Sequence, residues 1–214
     1  MALDEQKLQT AVAQLHAEKR GFSQSYDLLV SLKDLNLKDP KDQIEFFATV
    51  PHTLGKKRTV CALVGPEMID EAKKTADLAL EQSQFEKMPK KELRKVAAKF
   101  DYFVGQANIM PKIAGSFGRV LGPRGKMPNP KAGCIVPPKA PLTPLMERLQ
   151  KTVKVSAKKS PNVQVLIASQ GMTTQQVVEN VRSLYDQLVH NLPKEENNVK
   201  AVYLKVTMSK PIKL

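Results

Sequence analysis

The stretch Thr59-Val60-Cys61-Ala62-Leu63-Val64-Gly65-Pro66 decides how the middle of this 214-residue chain folds. Every side chain from Val60 to Val64 is apolar, which is typical of a parallel strand that is buried on both faces. The patterns that follow are helices at 67–77 and 89–99, an apolar strand at 102–104 and a helix at 108–118. Strands that alternate with helices in this way predict a doubly wound, Rossmann-like layer.

The two ends of the chain have a different pattern, in which strands alternate between apolar and polar side chains. A helix at 4–18 and strands at 25–33 and 44–50 form the first end; strands at 153–155, 163–167 and 199–207 and a helix through 177–188 form the second. Neither end alone is long enough to bury an ordinary core. We therefore predict an α/β protein of two domains. A discontinuous α+β sandwich-type domain comprises residues 1–64 and 152–214, and an inserted Rossmann-like three-layer α/β domain comprises residues 65–151.

The charge of the chain indicates a polyanionic partner. Thirty-four lysines and arginines against 21 aspartates and glutamates give a formal net charge of +13. From Tyr102 to Val178 the only acid is Glu147. Merely solvated basic surfaces usually mix the two signs, so we favour nucleic acid over that alternative. No apolar run approaches the ~20 residues of a membrane span, and the N-terminal residues lack the apolar core of a secretory signal. We expect a cytoplasmic protein with no membrane partner.

The sequence offers little for catalysis or metal binding. Cys61 and Cys134 lie too far apart for a Cys-X-X-Cys pair, and no cluster of His and Cys has zinc-ligand spacing. His16, His52 and His190 are isolated from one another, and no Ser, Cys or Lys lies in a recognised nucleophile motif. We expect a protein that is not an enzyme and that has no catalytic residues, no metal and no cofactor.

A Gly-rich basic stretch runs from Gly115 to Gly133. Glycine lets a backbone approach phosphate closely, and Arg and Lys neutralise it. The stretch fails the nucleotide P-loop template, because Val120 replaces its first Gly and Met127 replaces its Ser or Thr. Two G-x-x-G elements, 115–118 and 122–125, resemble the backbone clamp of KH domains, although turn chemistry alone also explains glycines. Two alternatives stay open: a free-standing RNA regulator, and a nucleotide-dependent enzyme that uses the Rossmann-like middle.

The same stretch resembles a known family. The segment Met110-Pro111 and Gly118-Arg-Val-Leu-Gly-Pro-Arg-Gly-Lys-Met-Pro-Asn-Pro-Lys131 is similar to the signature of the ribosomal protein L-one family, the universal large-subunit stalk protein, in its archaeal form. The family's other hallmarks match Phe22-Ser-Gln-Ser-Tyr-Asp27, Pro51-His52, Gly55-Lys56, Lys159-Ser160 and Thr207-Met208. The resemblance spans essentially the whole chain.

The resemblance implies a structural constituent of the large subunit of cytoplasmic ribosomes. By this resemblance, the first domain binds large-subunit ribosomal RNA. The inserted domain contacts deacylated tRNA that leaves the exit site, and it assists the release of that tRNA. Relatives also repress their own messenger RNA by mimicry, and the protein is expected to be a monomer off the ribosome. The RNA-binding residues carried over by position are Phe22, Ser25, Asp27, Lys159, Ser160, Thr207, Met208 and Ser209. The tRNA-facing basic residues are Arg119, Arg124, Lys126 and Lys131.

Two of these residues leave alternatives open. Phe22 either stacks on a base or anchors the first helix in the core. Ser209 stands where the family usually has Gly, and we expect an ordinary strand backbone there, with the hydroxyl facing RNA, rather than a strained one. We also expect Thr207 to Ser209 to end the last strand, because Pro211 follows and proline cannot donate to a ladder.

Overall fold

A computed structural model of the protein describes residues 4–17, 20–39, 42–138, 140–158 and 160–214. The chain divides into two compact units: unit 1 comprises residues 1–56 and 151–214, and unit 2 comprises residues 57–150. The helices are α1 (Glu5–Ala17), α2 (Ile69–Thr75), α3 (Gln82–Lys87), α4 (Lys90–Lys99), α5 (Met110–Leu121), α6 (Thr143–Gln150) and α7 (Thr174–His190). The strands are β1 (Ser25–Leu32), β2 (Ile44–Thr49), β3 (Val60–Val64), β4 (Leu78–Glu81), β5 (Tyr102–Gln106), β6 (Ile135–Val136), β7 (Thr152–Ala157), β8 (Asn162–Ser169), β9 (Val199–Val206) and β10 (Ile212–Lys213).

Unit 1 is built on an antiparallel sheet with the strand order β10-β9-β1-β8, together with a β2-β7 antiparallel pair. β1 lies between β9 and β8, and its residues alternate between half-buried and buried from Ser25 to Leu32. The buried set shares one core with residues of α1 and α7, among them Leu8, Val12, Val181 and Leu184. The alternating pattern of the sequence therefore puts the other face of β1, which carries Ser25 and Asp27, away from this core.

Unit 2 contains a parallel sheet with the strand order β4-β3-β5-β6. Cys61 and Leu63 of β3 face a core that includes residues of α3, α4 and α5 and the ring contacts of Phe103 with Phe100 and Phe117. Val60, Ala62 and Val64 point to the opposite face by the alternation of a strand, and they are equally buried. α2 and α6 supply buried residues to unit 2 as well. The predicted mixed α/β fold with a parallel layer is confirmed.

The first boundary between the units does not lie between residues 64 and 65, where the sequence predicts it. β3 pairs with β4 and β5, so the strand belongs to unit 2 and the boundary falls at residues 56 and 57. The sequence patterns also miss short elements. In the segment 120–141, where the sequence patterns indicate no helix or strand, Ile135 and Val136 form β6 beside β5. β4, α3 and α6 are further elements that the patterns miss.

The prediction that Thr207 to Ser209 end the last strand of the protein is wrong. β9 ends at Val206, and Thr207 and Met208 lie in a turn. Pro211 does not end the sheet, because β10 follows it and pairs antiparallel with β9. A proline between two strands removes no ladder hydrogen bond, so the chain can turn there and add an edge strand.

Both cysteines are buried and free. Burial raises the pKa of the Cys61 thiol to about 12 and that of Cys134 to about 11, so neither forms a thiolate readily. Within the described ranges, no group of three or more His, Cys, Asp or Glu side chains is arranged to hold a metal ion. In that same part of the chain, no helix is long and apolar enough to cross a membrane.

Candidate nucleic-acid interface

Five of the predicted RNA-binding residues lie at one end of the sheet in unit 1. β1 begins at Ser25 and β9 ends at Val206, and the pairing of Tyr26 with Val206 puts these two strand ends side by side. We call this group the sheet-end cluster; its members are Phe22, Ser25, Thr207, Met208 and Ser209. Antiparallel pairing thus brings together residues that are far apart in the sequence.

Phe22 and Met208 give the sheet-end cluster an apolar surface that is open to solvent. Phe22 is 53% exposed and Met208 is 62% exposed, and they are the exposed large hydrophobic side chains of the described residues. The alternative in which Phe22 anchors the first helix in the core is therefore wrong. Phe22 borders a shallow depression that is also lined by His16, Arg20 and Gly171. An exposed aromatic ring beside a depression is suited to stack on an unpaired base.

Buried and backbone groups hold the cluster in place. The side chain of Gln24 is buried, and its Oε1 accepts a hydrogen bond of 3.0 Å from the backbone N–H of Met208. Oγ1 of Thr207 accepts from the backbone N–H of Ser25 at 3.1 Å, and the backbone N–H of Thr207 donates to the carbonyl of Ser25 at 3.1 Å. These bonds fix the turn that carries Met208, so its side chain is presented from a defined backbone. The sequence gives no signal for the role of Gln24.

The hydroxyl of Ser209 does not face outward as expected. Oγ of Ser209 accepts from the backbone N–H of Val206 at 3.0 Å and lies 3.1 Å from the carbonyl oxygen of Lys210. Among the described residues other than glycine, positive φ occurs at Asp34 and Glu195, so the backbone of Ser209 is unstrained, as expected. It lies in a bend after β9, however, and not in the strand that was expected. The hydroxyl closes the turn, which explains how a serine is accommodated there.

Asp27 lies half-buried on the face of β1 that points away from α1 and α7. Lys205 is its partner in the register with β9. Burial raises the pKa of the Asp27 carboxyl, and the positive charge of Lys205 partly offsets this shift. A partly buried carboxylate in this position is able to accept hydrogen bonds from ribose hydroxyls.

Gly55 brings the loop segment that carries Lys56 to the same end of the sheet. Gly55 has a φ of +74°, and a Cβ added there would lie 2.5 Å from Cβ of Ser169, so no other residue fits without a shift. Ser169 pairs with Ser25, and its hydroxyl lies 3.2 Å from that of Ser23. Lys56 therefore borders the sheet-end cluster. The motif Gly55-Lys56 was available in the sequence, but its place beside Ser169 depends on the fold.

The structure separates Ser160 from the sheet-end cluster. Ser160 precedes β8, which pairs Asn162 with Ser31 near the far end of β1. An eight-residue strand spans about 25 Å, so Ser160 and Phe22 lie at opposite ends of the sheet. The other predicted residue of this loop, Lys159, lies outside the described residues.

The basic loop of unit 2 comprises residues 122–131 and follows α5. Gly125, with a φ of +64°, allows the turn in which the N–H of Lys126 bonds the carbonyl of Leu121 at 3.1 Å. Arg124 and Lys131 are exposed in the loop, and Arg119 is exposed on the last turn of α5. Residues 115–118 lie inside α5, so the first G-x-x-G element is helical and does not form a clamp of the KH type.

Lys126 differs from the other three basic residues because its ammonium group is used inside unit 2. Its Nζ donates to the carbonyl oxygen of Ala97 at 3.1 Å and to that of Phe100 at 2.6 Å. Both carbonyls belong to the C-terminal end of α4, where a cation is favourable for the helix dipole. Lys126 therefore anchors the basic loop to α4 and is only partly exposed.

In unit 2, a buried glutamine lies at the sheet edge where Rossmann-like folds bind nucleotides. In open parallel sheets, ligands bind at the carboxyl ends of the strands where the strand order reverses, which here is between β3 and β5. Gln106 is buried at this point, and its Oε1 accepts from the backbone N–H of Gly65 at 2.8 Å. A short 3-10 helix that begins at Pro66 follows, in place of a glycine-rich turn. The geometry does not fit a nucleotide-dependent enzyme.

The profile of the Ribosomal protein L1p/L10e family matches residues 13–210. The chain belongs to this family. All of it aligns at 35% identity with 99% of the large ribosomal subunit protein uL1 of Thermococcus kodakarensis. A second match, at 32% identity, covers 99% of the chain and 96% of uL1 from Methanocaldococcus jannaschii. A third, at 35% identity, covers 92% of the chain and 93% of uL1 from Nanoarchaeum equitans.

These comparisons confirm the resemblance inferred from the sequence, including its archaeal form. Membership in a family of ribosomal proteins also confirms that the chain is not an enzyme. The alternative of a nucleotide-dependent enzyme is therefore rejected because of the family to which the chain belongs.

Proposed function

We propose that the chain is a structural constituent of the large ribosomal subunit and that unit 1 binds large-subunit ribosomal RNA through the sheet-end cluster. The observation that carries this proposal is the exposure of Phe22 and Met208 at one end of the sheet. Stacking of a base on an aromatic ring contributes about 1–3 kcal/mol. The exposed cations Arg20, Lys56 and Lys210 are close in sequence to members of the cluster or to Gly55, and they supply contacts to phosphates.

Unit 2 has a separate role in this proposal. Arg119, Arg124 and Lys131 present exposed charge around the basic loop, and we assign them to a phosphate contact with deacylated tRNA in the exit site, which would assist its release. This loop offers charge without an exposed aromatic ring, so it suits contact with a backbone more than recognition of bases. Lys126 holds the loop and is not assigned to the contact.

Repression of the protein's own messenger RNA follows from the same site. A message that folds like the ribosomal RNA site would bind the sheet-end cluster in competition with it, while the protein is a monomer off the ribosome. Such repression needs no further residue. It predicts that one variant weakens binding to both RNAs by the same factor.

The test is to capture RNA from an archaeal lysate on the intact chain and to sequence it. We expect large-subunit ribosomal RNA to be enriched, and the double variant Phe22→Ala/Met208→Ala to lose that enrichment. Lys73→Gln/Lys74→Gln is the control, since both lysines are exposed on α2 in unit 2. Enrichment of tRNA alone, or of one message alone, would contradict the assignment.

A further inference from the structure

α4 carries the densest run of positive charge in unit 2 outside the basic loop. Its ten residues include five cations and the single acid Glu92; the cations are Lys90, Lys91, Arg94, Lys95 and Lys99. All five are exposed, and Lys87 precedes them on α3. Positive charge is therefore also concentrated on α4, which belongs neither to the sheet-end cluster nor to the basic loop.

Four of these cations have no ion-pair partner among the residues that the structure describes. Within the described ranges, no ion pair involves Lys90, Lys91, Arg94 or Lys95. Lys91 and Lys95 are four residues apart on the helix, as are Lys90 and Arg94. Like charges at this spacing destabilise a helix. Unit 2 would be more stable with fewer of them, so their presence favours a role outside the chain.

The helix that carries the charges is firmly held. Leu93 and Ala97 are buried in the core of unit 2, and Nζ of Lys126 bonds two carbonyls at the C-terminal end of α4. With the buried side fixed, the turns of the helix direct Lys91, Lys95 and Lys99 to the opposite side. The cations therefore form a fixed surface of about 15 Å, the length of a ten-residue helix.

We propose that the exposed face of α4 binds the phosphate backbone of RNA without regard to base sequence. Charge complementarity is the argument for this occupant, since RNA is the polyanion with which a ribosomal protein assembles. The exposed residues of α4 present ammonium and guanidinium groups, the methyl group of Ala98 and the single carboxylate of Glu92. They present no aromatic ring and no amide that would recognise a base, so their contacts are with phosphates.

The experiment compares two double variants of the full chain that remove the same charge. Lys91→Gln/Lys95→Gln changes the α4 face, and Lys73→Gln/Lys74→Gln changes two exposed lysines of α2 in the same unit. Binding to a short RNA duplex of arbitrary sequence is measured by fluorescence anisotropy at several salt concentrations. We expect the first variant to reduce the log–log salt slope by about 1.5, at about 0.7–0.9 for each phosphate that is no longer neutralised. The second should leave the slope nearly unchanged.

Three outcomes would overturn the proposal. Equal losses from both variants would mean that net charge alone matters. An unchanged slope with Lys91→Gln/Lys95→Gln would mean that α4 does not contact RNA. A loss of binding to phosphatidylserine vesicles, with duplex binding intact, would assign the face to a membrane surface.

Two controls accompany the comparison. Lys91→Arg/Lys95→Arg should restore duplex binding, and thermal unfolding should show that all variants fold. The duplex lacks a folded ribosomal site, so it does not test the sheet-end cluster. That cluster is tested separately, by the capture of ribosomal RNA with wild type and with Phe22→Ala/Met208→Ala.

Discussion

The sheet-end cluster and the basic loop were singled out by the same sequence resemblance, yet they present different chemistry. In the cluster, the polar groups of Thr207 and Ser209 are bonded within the fold, whereas the apolar side chains of Phe22 and Met208 remain exposed. Of the three cations in the basic loop, Lys126 is bonded within the fold, whereas Arg124 and Lys131 are exposed. A sequence motif thus locates a site, but the atoms available to a partner are those that the fold has not used.

The largest effect on stability is expected from Lys126→Met. The substitution keeps the apolar stem and removes the charged donor from the carbonyls of Ala97 and Phe100. Hydrogen bonds to charged groups contribute about 1.5–3 kcal/mol, and we expect a loss of that size in the free energy of unfolding. Arg124→Met in the same loop is the control and should change stability by less than about 0.5 kcal/mol. Equal effects would mean that Lys126 does not anchor the loop.

A smaller loss of stability is expected from Thr207→Val. The change keeps the shape and removes the acceptor for the N–H of Ser25, which should reduce the free energy of unfolding by about 1 kcal/mol. Because the hydroxyl is bonded within the fold, affinity for ribosomal RNA should fall by less than about tenfold. Chemical denaturation and an RNA titration measure the two quantities. A large loss of affinity at unchanged stability would show that the hydroxyl contacts RNA directly.

A similar but smaller loss is expected from Ser209→Gly. The hydroxyl of Ser209 closes the turn after β9, so its removal should cost about 0.5–1 kcal/mol, as measured by chemical denaturation. Ser209→Ala is the matched control, because it removes the same hydroxyl and retains a Cβ. If Ser209→Gly instead increases both stability and RNA affinity, RNA approaches this backbone more closely than a serine permits.

The smallest effect, and one of opposite sign, is expected from Asp27→Asn. Burial raises the pKa of Asp27, so the folded chain binds this proton more tightly than the unfolded chain. Stability from this group is present below its unfolded pKa and is lost as the pH rises through the folded pKa. At pH 7 the variant should therefore melt at a slightly higher temperature than wild type, by at most about 2 °C. The difference should vanish below the ordinary Asp pKa of about 3.9.

Patterns that report burial predict the fold well. The apolar run of β3 and the alternation of β1 each indicate the right element, because burial on two faces or on one face leaves a clear periodicity. β4 is half-buried for most of its length, and β6 and β10 are two residues long. These strands form because β3, β5 and β9 offer edges to pair with, which no local pattern records.

The site is predicted less completely than the fold. The resemblance identifies Phe22, Thr207 and Met208, and pairing of β1 with β9 brings them together. It does not indicate that Gln24 holds the turn, that Lys126 is bonded within unit 2, or that Ser160 lies at the far end of β1. Each of these facts depends on contacts between distant residues.

The most direct test is a titration of the ribosomal RNA recovered by the chain with wild type, Phe22→Ala and Arg124→Ala at one salt concentration. If the sheet-end cluster recognises this RNA, Phe22→Ala should weaken binding by about 5- to 150-fold, which corresponds to the loss of about 1–3 kcal/mol of stacking. Arg124→Ala should weaken it by less than about twofold, because the basic loop is assigned to tRNA. Equal losses from the two variants, or a larger loss from Arg124→Ala, would contradict the assignment of ribosomal RNA recognition to unit 1.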